Sequence, residues 1–343
     1  MKNGSDDDSD LEAFSARLRE RAFDRSCCFL CAKHYDNVHL TSEHIIPRWA
    51  QKRFDLWDQR LTLLNRTEIP YRKLTVPCCE ECNKYQLQPI EADISNAVSR
   101  GAEDARRLEY HTIFLWLAKI FYGILYREIS LLLDQDANNN VTIASPELLR
   151  EYEILLFLLQ QARKKIKMSG FAPGSIFIFR CQAHIDRKLQ WDFCDNARTM
   201  FMAIRMGEVG IIASLGDGGA QLTYAEAYRE LADLQLHPLQ FRELCAQFSY
   251  RSTLATRTPK YITVEGMPHE VIQLPLAGMS AMPYFRDWDD DVFARFLAFY
   301  TGYPYELVRP APGKITTWLR DDSGRTRYMD IKDFPYIPIM GKG

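Results

Sequence analysis

The sequence predicts an α+β protein in which a small cysteine-rich module precedes a larger domain of helices and then of mixed helices and strands. Three observations support this class. Six of the nine cysteines fall in two short clusters, at residues 27–31 and 78–82. A long stretch with helical periodicity follows the second cluster, and short β-like runs bounded by turn residues fill much of the remainder. A chain of 343 residues is long enough for two parts, each with its own core.

Charge divides the chain into three segments. Residues 1–15 form an acidic tail of net charge −4, which we expect to be disordered because it has little apolar surface to bury. Residues 16–90 form the cysteine-rich module, with a net charge of +4, and residues 91–343 form the larger domain, with −2. The basic bias of the module is modest and compatible with a nucleic-acid partner.

The hydrophobic periodicity and the turn residues of the sequence predict where its helices and strands lie. Helices are predicted at Leu11–Phe23, Glu91–Leu133 with a break at Gly101, Ser145–Gly170, Tyr224–Leu234, Leu239–Phe248 and Asp291–Tyr300. Strands are predicted at Ser175–Cys181, Leu189–Phe193, Met200–Arg205, Val209–Leu215, Tyr261–Val264, Val271–Gln273 and Ile315–Leu319. The larger domain is therefore expected to be helical first and α+β afterwards.

The sequence argues against membrane insertion and secretion. The most apolar stretch, Ile113–Leu133, is interrupted by Lys119, Arg127 and Glu128, so it predicts a buried helix rather than a membrane span. Residues 1–10 contain four aspartates and no apolar run, unlike a secretory signal. We therefore expect a cytoplasmic protein with no membrane partner, in which clustered cysteines bind metal rather than form disulfides.

Two cysteine pairs have the spacing of a zinc site. Cys28-x₂-Cys31 and Cys79-x₂-Cys82 each place two thiolates where they can meet one tetrahedral ion. Four soft ligands close the coordination sphere, so the predicted Zn²⁺ is structural. Cys27 and Cys78 precede the two pairs, which leaves open a Cys27-x₃-Cys31 or a Cys78-x₃-Cys82 pairing.

Between the pairs stands Thr41-Ser42-Glu43-His44-Ile45-Ile46-Pro47, and Asn83 follows Cys82 directly. In these residues the chain resembles the zinc-containing members of the HNH endonuclease family, which read CxxC, then Asp/Glu-His-Ile-Ile-Pro, then CxxC-Asn. The resemblance covers residues 25–90, about a fifth of the chain. It implies a ββα-metal module stabilised by the structural zinc.

The resemblance also implies the roles of three residues. Glu43 and Asn83 would ligate a catalytic Mg²⁺ or Mn²⁺, and His44 would be the general base. Their chemistry suits these roles, since carboxylate and amide oxygens are hard ligands and a neutral imidazole accepts a proton near pH 7. The expected reaction is metal-dependent hydrolysis of phosphodiester bonds in DNA, and the sequence leaves RNA open as a substrate.

Basic residues near the motif are candidates for contact with nucleic-acid phosphates. They are Arg48, Lys52, Arg53, Lys73 and Lys84. Charged residues of this kind also occur on ordinary solvated faces, and the sequence alone does not separate the two interpretations.

One position departs from the family pattern, in which an Asn-Leu pair shortly before the second CxxC braces the active-site loop. Here the corresponding stretch is Arg72–Pro77, so either Asn65 braces the loop or Lys73 acts differently. Two functions follow. The first is an endonuclease, an effector of bacterial defence by analogy, whose residues 91–343 select a target or bind a protein partner or activating ligand. The second is a zinc-stabilised nucleic-acid-binding or scaffold protein with a degenerate site.

Overall fold

The computed structural model describes residues 14, 16–17, 25–63, 66–129, 131–132, 141–142, 151–276 and 282–334. The strands are β1 (Leu40–His44), β2 (Arg60–Thr62), β3 (Glu68–Pro70), β4 (Thr75–Cys79), β5 (Ile166–Met168), β6 (Ser175–Cys181), β7 (Trp191–Asn196), β8 (Phe201–Met206), β9 (Val209–Ser214), β10 (Gln235–Leu236), β11 (Tyr261–Val264) and β12 (His269–Gln273). The helices are α1 (Arg48–Arg53), α2 (Gln88–Arg100), α3 (Ala102–Arg106), α4 (Tyr110–Ile129), α5 (Glu153–Leu158), α6 (Arg229–Ala232), α7 (Pro238–Thr253), α8 (Asp290–Thr301) and α9 (Tyr305–Val308).

The cysteine-rich part is built on two antiparallel strands and the helix that follows them. β1 pairs with β4 in a regular register that places Glu43 opposite Val76. β1 ends at His44, and Pro47 immediately precedes α1, in keeping with the rarity of proline inside strands. After β4 the chain enters a π-helical segment, Glu81–Leu87, which leads directly into α2.

The C-terminal part is organised around a sheet with the strand order β10-β6-β9-β8-β7. β6, β9, β8 and β7 are antiparallel neighbours, whereas β10 joins β6 in parallel. A smaller sheet has the order β11-β12-β5, and β2 pairs with β3 as a separate hairpin. The mixture of helices and sheets agrees with the predicted α+β class.

Both faces of the larger sheet are buried, because its side chains alternate between two cores. On β8, Met202 and Ile204 pack into a core shared with the cysteine-rich part and α4, whereas Phe201 and Ala203 pack into a core formed with α7 and α8. The sheet is therefore the middle layer between the N-terminal half and the C-terminal helices.

The boundary expected at residue 90 falls inside α2, which runs from Gln88 to Arg100. The first core continues across this position, since Phe29, Ile45 and Val76 belong to the same buried cluster as Trp116 and Phe121 of α4. Residues on the two sides of position 90 thus bury one another.

Three predictions about secondary structure are wrong. Residues 145–150 of the helix predicted at Ser145–Gly170 lie outside the described residues, and in the described remainder the helical structure ends with α5 and a 3₁₀ turn at Gln161. Lys164 adopts a positive φ of 57° and Ile166–Met168 pairs with β12 instead, so tertiary pairing overrides helical periodicity. In place of the helix Tyr224–Leu234 there are two 3₁₀ turns and the short α6.

The third concerns Ile315–Leu319, which is not a strand in the described part of the chain. Its backbone finds a side-chain partner instead, because the buried Glu243 carboxylate accepts hydrogen bonds from the Trp318 and Leu319 N–H groups. An apolar run of this kind can look like a strand in sequence when its N–H groups are satisfied elsewhere.

Other predictions are confirmed within a few residues. The strands Ser175–Cys181 and Tyr261–Val264 have the predicted bounds, and α7 and α8 contain the predicted helical segments. The break at Gly101 is confirmed, since this residue has a φ of +107° between α2 and α3. The predicted acidic tail and the helix Leu11–Phe23 lie largely outside the described residues.

α4 is the central helix of the first core, and Gly123 allows it to approach the Glu43–Pro47 motif. A Cβ atom at Gly123 would lie 3.1 and 3.2 Å from the Cγ atoms of Ile45, which is fully buried. No helix in the described residues is long and apolar enough to cross a membrane.

We expect Gly123→Ala to destabilise the fold although alanine is the better helix former. The helix propensity gains about 1 kcal/mol, whereas overpacking a rigid core typically costs about 1–3 kcal/mol. Thermal unfolding should therefore show a lower melting temperature. In an Ile45→Ala background, where both Cγ atoms are gone, the same change should be neutral or stabilising. Equal destabilisation in both backgrounds would contradict the packing argument.

Candidate functional site

Four cysteines are gathered into one buried cluster. The sulfur atoms of Cys28, Cys31, Cys79 and Cys82 all lie within 4.8 Å of one another. Cys31 and Cys79 Sγ are 3.8 Å apart, close to the edge of about 3.8 Å expected for a tetrahedron with Zn–S bonds of about 2.3 Å. The donor set is soft and complete, so the cluster could hold a metal such as zinc.

The cluster does not include the two neighbouring cysteines. Cys27 and Cys78 are both buried but stand outside the group of four. Burial opposes ionisation of Cys28, yet contacts with the other cysteine sulfurs hold the pKa of its thiol well below the ordinary value. The geometry therefore favours the two x₂ pairs over the x₃ alternatives.

His44 lies at the end of β1 in a mostly buried position, with 9% of its surface exposed. Burial lowers the pKa of its imidazole, the positive charge of Arg48 lowers it further, and the Glu43 carboxylate opposes both. The ring is therefore neutral at pH 7. The Gln51 amide group donates to the Ile46 carbonyl at 2.8 Å and reaches His44 Nδ1 at 3.3 Å.

Glu43 takes part in a buried cluster of charges that the sequence did not reveal. Lys119 Nζ lies 2.6 Å from Glu43 Oε1 and 2.8 Å from Glu91 Oε1. The same ammonium donates to the His44 carbonyl at 2.7 Å and to the Ile45 carbonyl at 3.2 Å. A single ammonium is therefore shared by two carboxyl groups.

The electrostatics of this cluster follow from burial and pairing. Lys119 is 2% exposed. Burial opposes its charge, but the two carboxylates hold the pKa of the Lys119 ammonium above its ordinary value. Burial raises the pKa of Glu91, and Lys119 partly offsets that effect. The lysine therefore stays charged and fixes the Glu43 side chain to α2 and α4.

Asn83 lies in the π-helical segment and is held against β1. Its Nδ2 donates to Thr41 Oγ1 at 3.1 Å, and the Thr41 hydroxyl donates to the Cys78 carbonyl at 2.8 Å. Thr41 and Glu43 are two residues apart on β1, so their side chains leave the same face of the strand. π-Helical turns often occur at functional sites. The amide oxygen of Asn83 has no hydrogen-bond donor among the described residues.

The five predicted basic residues are all exposed: Arg48, Lys52, Arg53, Lys73 and Lys84. The first three belong to α1, which begins four residues after His44. Arg48 is near enough to His44 to affect its pKa, and Arg53 donates to Ser99 of α2 at 3.0 Å. Asn65, the other candidate for the bracing role, lies outside the described residues.

Sequence reasoning missed four residues around His44: Gln51, Trp57, Glu91 and Lys119. The exposed Trp57 ring is 6.3 Å from the His44 ring, centroid to centroid. Glu91 and Lys119 lie 48 and 76 residues after Glu43. Of these four residues, only Lys119 stood out in the sequence, as a charged residue in an apolar helical stretch.

Comparisons with known proteins give no relative. The chain matches no family model, no curated protein and no solved structure. Its function therefore has to be inferred from its own residues.

We expect Lys119→Met to be strongly destabilising, because it leaves the Glu43 and Glu91 carboxylates buried without their shared cation. Breaking a buried pair from one side costs about 3–5 kcal/mol. Urea unfolding at pH 7 should show this loss, and the loss should shrink as the pH is lowered and the carboxylates take up protons. The exposed Lys84→Met is the matched control. Equal stability of the two variants would show that Lys119 does not hold the cluster together.

Proposed function

We propose that the chain is a metal-dependent endonuclease of the HNH type that hydrolyses phosphodiester bonds in DNA. The observation that carries the proposal is the position of His44 at the end of β1, flanked by Glu43 and within reach of the charge of Arg48, where burial lowers the pKa of its imidazole. A β1–β4 pair followed by the helix that carries Asn83 is the arrangement expected of a ββα-metal module. The four-cysteine cluster would hold a structural Zn²⁺ beside it.

Each candidate residue has a separate part in the reaction. His44 accepts the proton of a water molecule as this water attacks the phosphorus atom. The second carboxylate oxygen of Glu43 and the amide oxygen of Asn83 would hold Mg²⁺ or Mn²⁺, hard ions that these donors suit. When bound, the ion supplies Lewis-acid stabilisation of the charge that develops on the phosphate and the leaving oxygen. Arg48, Lys52, Arg53, Lys73 and Lys84 would bind the nucleic-acid backbone.

Two observations favour the alternative of a nucleic-acid-binding or scaffold protein that does not cleave. The Lys119 ammonium already occupies one oxygen of Glu43. Because the Gln51 amide reaches Nδ1 of His44, it favours the tautomer that carries its proton on Nε2. In that tautomer Nε2 has to lose its proton before it can act as a base. The contact is long at 3.3 Å, so it constrains the ring weakly.

A nicking assay separates the two functions. Purified full-length protein is incubated with supercoiled plasmid in Mg²⁺ or in Mn²⁺, and Asn83→Ala is compared with the exposed Glu80→Gln. Nicking by the wild type and the control, with a higher metal requirement for Asn83→Ala, would support the endonuclease. Plasmid binding without nicking in either metal would favour the second function. RNA is tested in parallel, since the site chemistry does not separate the two polymers.

The role of residues 91–343 is also a proposal. We expect them to select the target or to bind a protein partner or activating ligand, as in an effector of antiviral defence. The shared core provides physical contact for such control, because α4 packs against the motif directly.

A further inference from the structure

Two cysteines outside the metal cluster lie against each other in the C-terminal part of the protein. Cys194 is on β7 and Cys245 is on α7. Cys245 is buried in the core that α7 and α8 form with the sheet, and Cys194 packs against that core from a half-buried position. The two thiols are within hydrogen-bonding contact of each other. The proposed nuclease reaction uses neither of them.

A buried ion pair beside the two cysteines fixes the strand against the helix. Arg242 Nη2 lies 2.5 Å from Asp192 Oδ1, and both side chains are buried. Asp192 and Cys194 are two residues apart on β7, so their side chains leave the same face of the strand. Arg242 and Cys245 are three residues apart on α7, so they are neighbours on one face of the helix. The ion pair therefore keeps β7 and α7 in a register that brings the two sulfurs together.

The two thiols differ in their access to solvent. Cys245 has 0% of its surface exposed. Burial raises the pKa of its thiol well above the ordinary value, and the contact with Cys194 raises it further. Cys194 is partly exposed, and the next residue, Asp195, lines a cavity of about 610 Å³. A small oxidant therefore has a route to Cys194, whereas Cys245 meets only its neighbour.

Contact between two thiols distinguishes this pair from an ordinary buried cysteine. A single buried cysteine, such as Cys181, usually acts as a small apolar core residue. Two cysteines whose side chains point at each other can be joined with little movement of the backbone. Disulfides that form in a reducing compartment are usually transient and redox-sensing. Such a role suits a pair of free thiols that are already in contact.

We propose that Cys194 and Cys245 are a modification site at which hydrogen peroxide forms a reversible disulfide. In the first step the Cys194 sulfur, as a thiolate, attacks one oxygen of the peroxide. The O–O bond breaks, Cys194 becomes a sulfenic acid, and one water leaves. In the second step the Cys245 sulfur attacks the Cys194 sulfur, and the hydroxyl group leaves with the Cys245 proton as a second water. The two sulfurs lose two electrons in all, and the peroxide gains them.

The bond would join the middle sheet to the C-terminal helices covalently, through β7 and α7. It involves neither His44 nor the four-cysteine cluster. The proposal therefore does not depend on nuclease activity, and a failure of the nuclease proposal leaves the expected disulfide unaffected.

Peptide mapping by mass spectrometry without reduction tests the assignment. Full-length protein is reduced, freed of reductant, treated with increasing hydrogen peroxide, alkylated and digested. A peptide pair that joins Cys194 to Cys245 should accumulate, lighter by two hydrogen atoms than the two free peptides, and dithiothreitol should convert it back to thiols. Absence of this pair at millimolar peroxide, or a bond from Cys194 to any other cysteine, would overturn the proposal.

Variants assign the two steps. In Cys245→Ala the sulfenic acid at Cys194 has no partner, so dimedone should label Cys194 severalfold more than in the wild type. In Cys194→Ala, Cys245 should remain a thiol at the same peroxide concentration. Cys181→Ala removes a buried cysteine of β6 and is the matched control. It should form the disulfide to the same extent as the wild type.

Oxidation of Cys245 in Cys194→Ala, or no gain of dimedone label at Cys194 in Cys245→Ala, would overturn the proposed reaction. Loss of the disulfide in Cys181→Ala would show that the bond does not depend on the contact between Cys194 and Cys245 alone, which also contradicts the proposal. The map of the wild-type protein decides the central assignment even where a variant fails to fold.

Discussion

Cys28→Ala and Cys82→Ala should each release the bound metal and unfold the N-terminal half of the protein. Each change removes one of four ligands from a closed, buried site, where the energy of metal binding is also energy of folding. Structural zinc sites of this type contribute about 10–16 kcal/mol of apparent binding energy in small domains. This binding energy is comparable with, or larger than, the total stability of about 5–15 kcal/mol that is typical of a folded protein.

Zinc content by atomic absorption and thermal unfolding on the same preparations measure both effects. The matched control is Cys194→Ala, a half-buried cysteine on β7 outside the cluster, and it should keep both zinc and fold. Cys27→Ala and Cys78→Ala should also keep the metal. Retention of one zinc per chain in Cys28→Ala would show that a neighbouring cysteine serves as a ligand.

His44→Ala should abolish most plasmid nicking while leaving the protein folded and zinc-loaded. Removal of a general base typically costs a factor of about 10²–10⁴ in rate. The ring lies at the end of β1 and makes one long hydrogen bond, so its loss should have little effect on folding. DNA binding should persist, because the exposed basic residues remain.

Nicking rates, zinc content and DNA affinity on the same preparation separate catalysis from folding and binding. His269→Ala, a histidine on β12, is the control and should cut at the wild-type rate. A wild-type rate in His44→Ala would remove the proposed catalytic role. Loss of zinc from that variant would make His44 a structural residue.

Much of the candidate site could be predicted from sequence because its parts are local. The two CxxC pairs are metal-binding units in themselves, and the structure brings all four sulfurs together. Glu43 and His44 lie at the end of β1, and Pro47, which follows shortly in the motif, is typical of such a strand end. The four antiparallel strands of the larger sheet were also predictable, because short apolar runs there lie between clear turn residues, whereas the two-residue strand β10 was not predicted.

The remainder depends on contacts between distant segments. The Glu43–Lys119–Glu91 cluster joins residues from β1, α4 and α2, and no local pattern encodes that meeting. Similarly, Ile166–Met168 follows a helical stripe yet forms a strand, because β12 supplies the hydrogen bonds. Glu243 replaces a neighbouring strand as the partner of the Leu319 backbone. In each case a partner far along the chain decides the local structure.

Because α2 spans residue 90, it limits where this chain can be cut and joined to another protein. A zinc-bound motif of this size invites transfer as a cassette, but a cut at residue 90 would divide α2 and separate Glu43 from Lys119. The excised piece would expose the faces of Ile45 and Val76 that α4 and its neighbours cover, and soluble monomers rarely leave such apolar patches open. A transplantable unit therefore has to extend beyond Ile129, the end of α4. Chimaeras joined before that point should aggregate, whatever chemistry the motif performs.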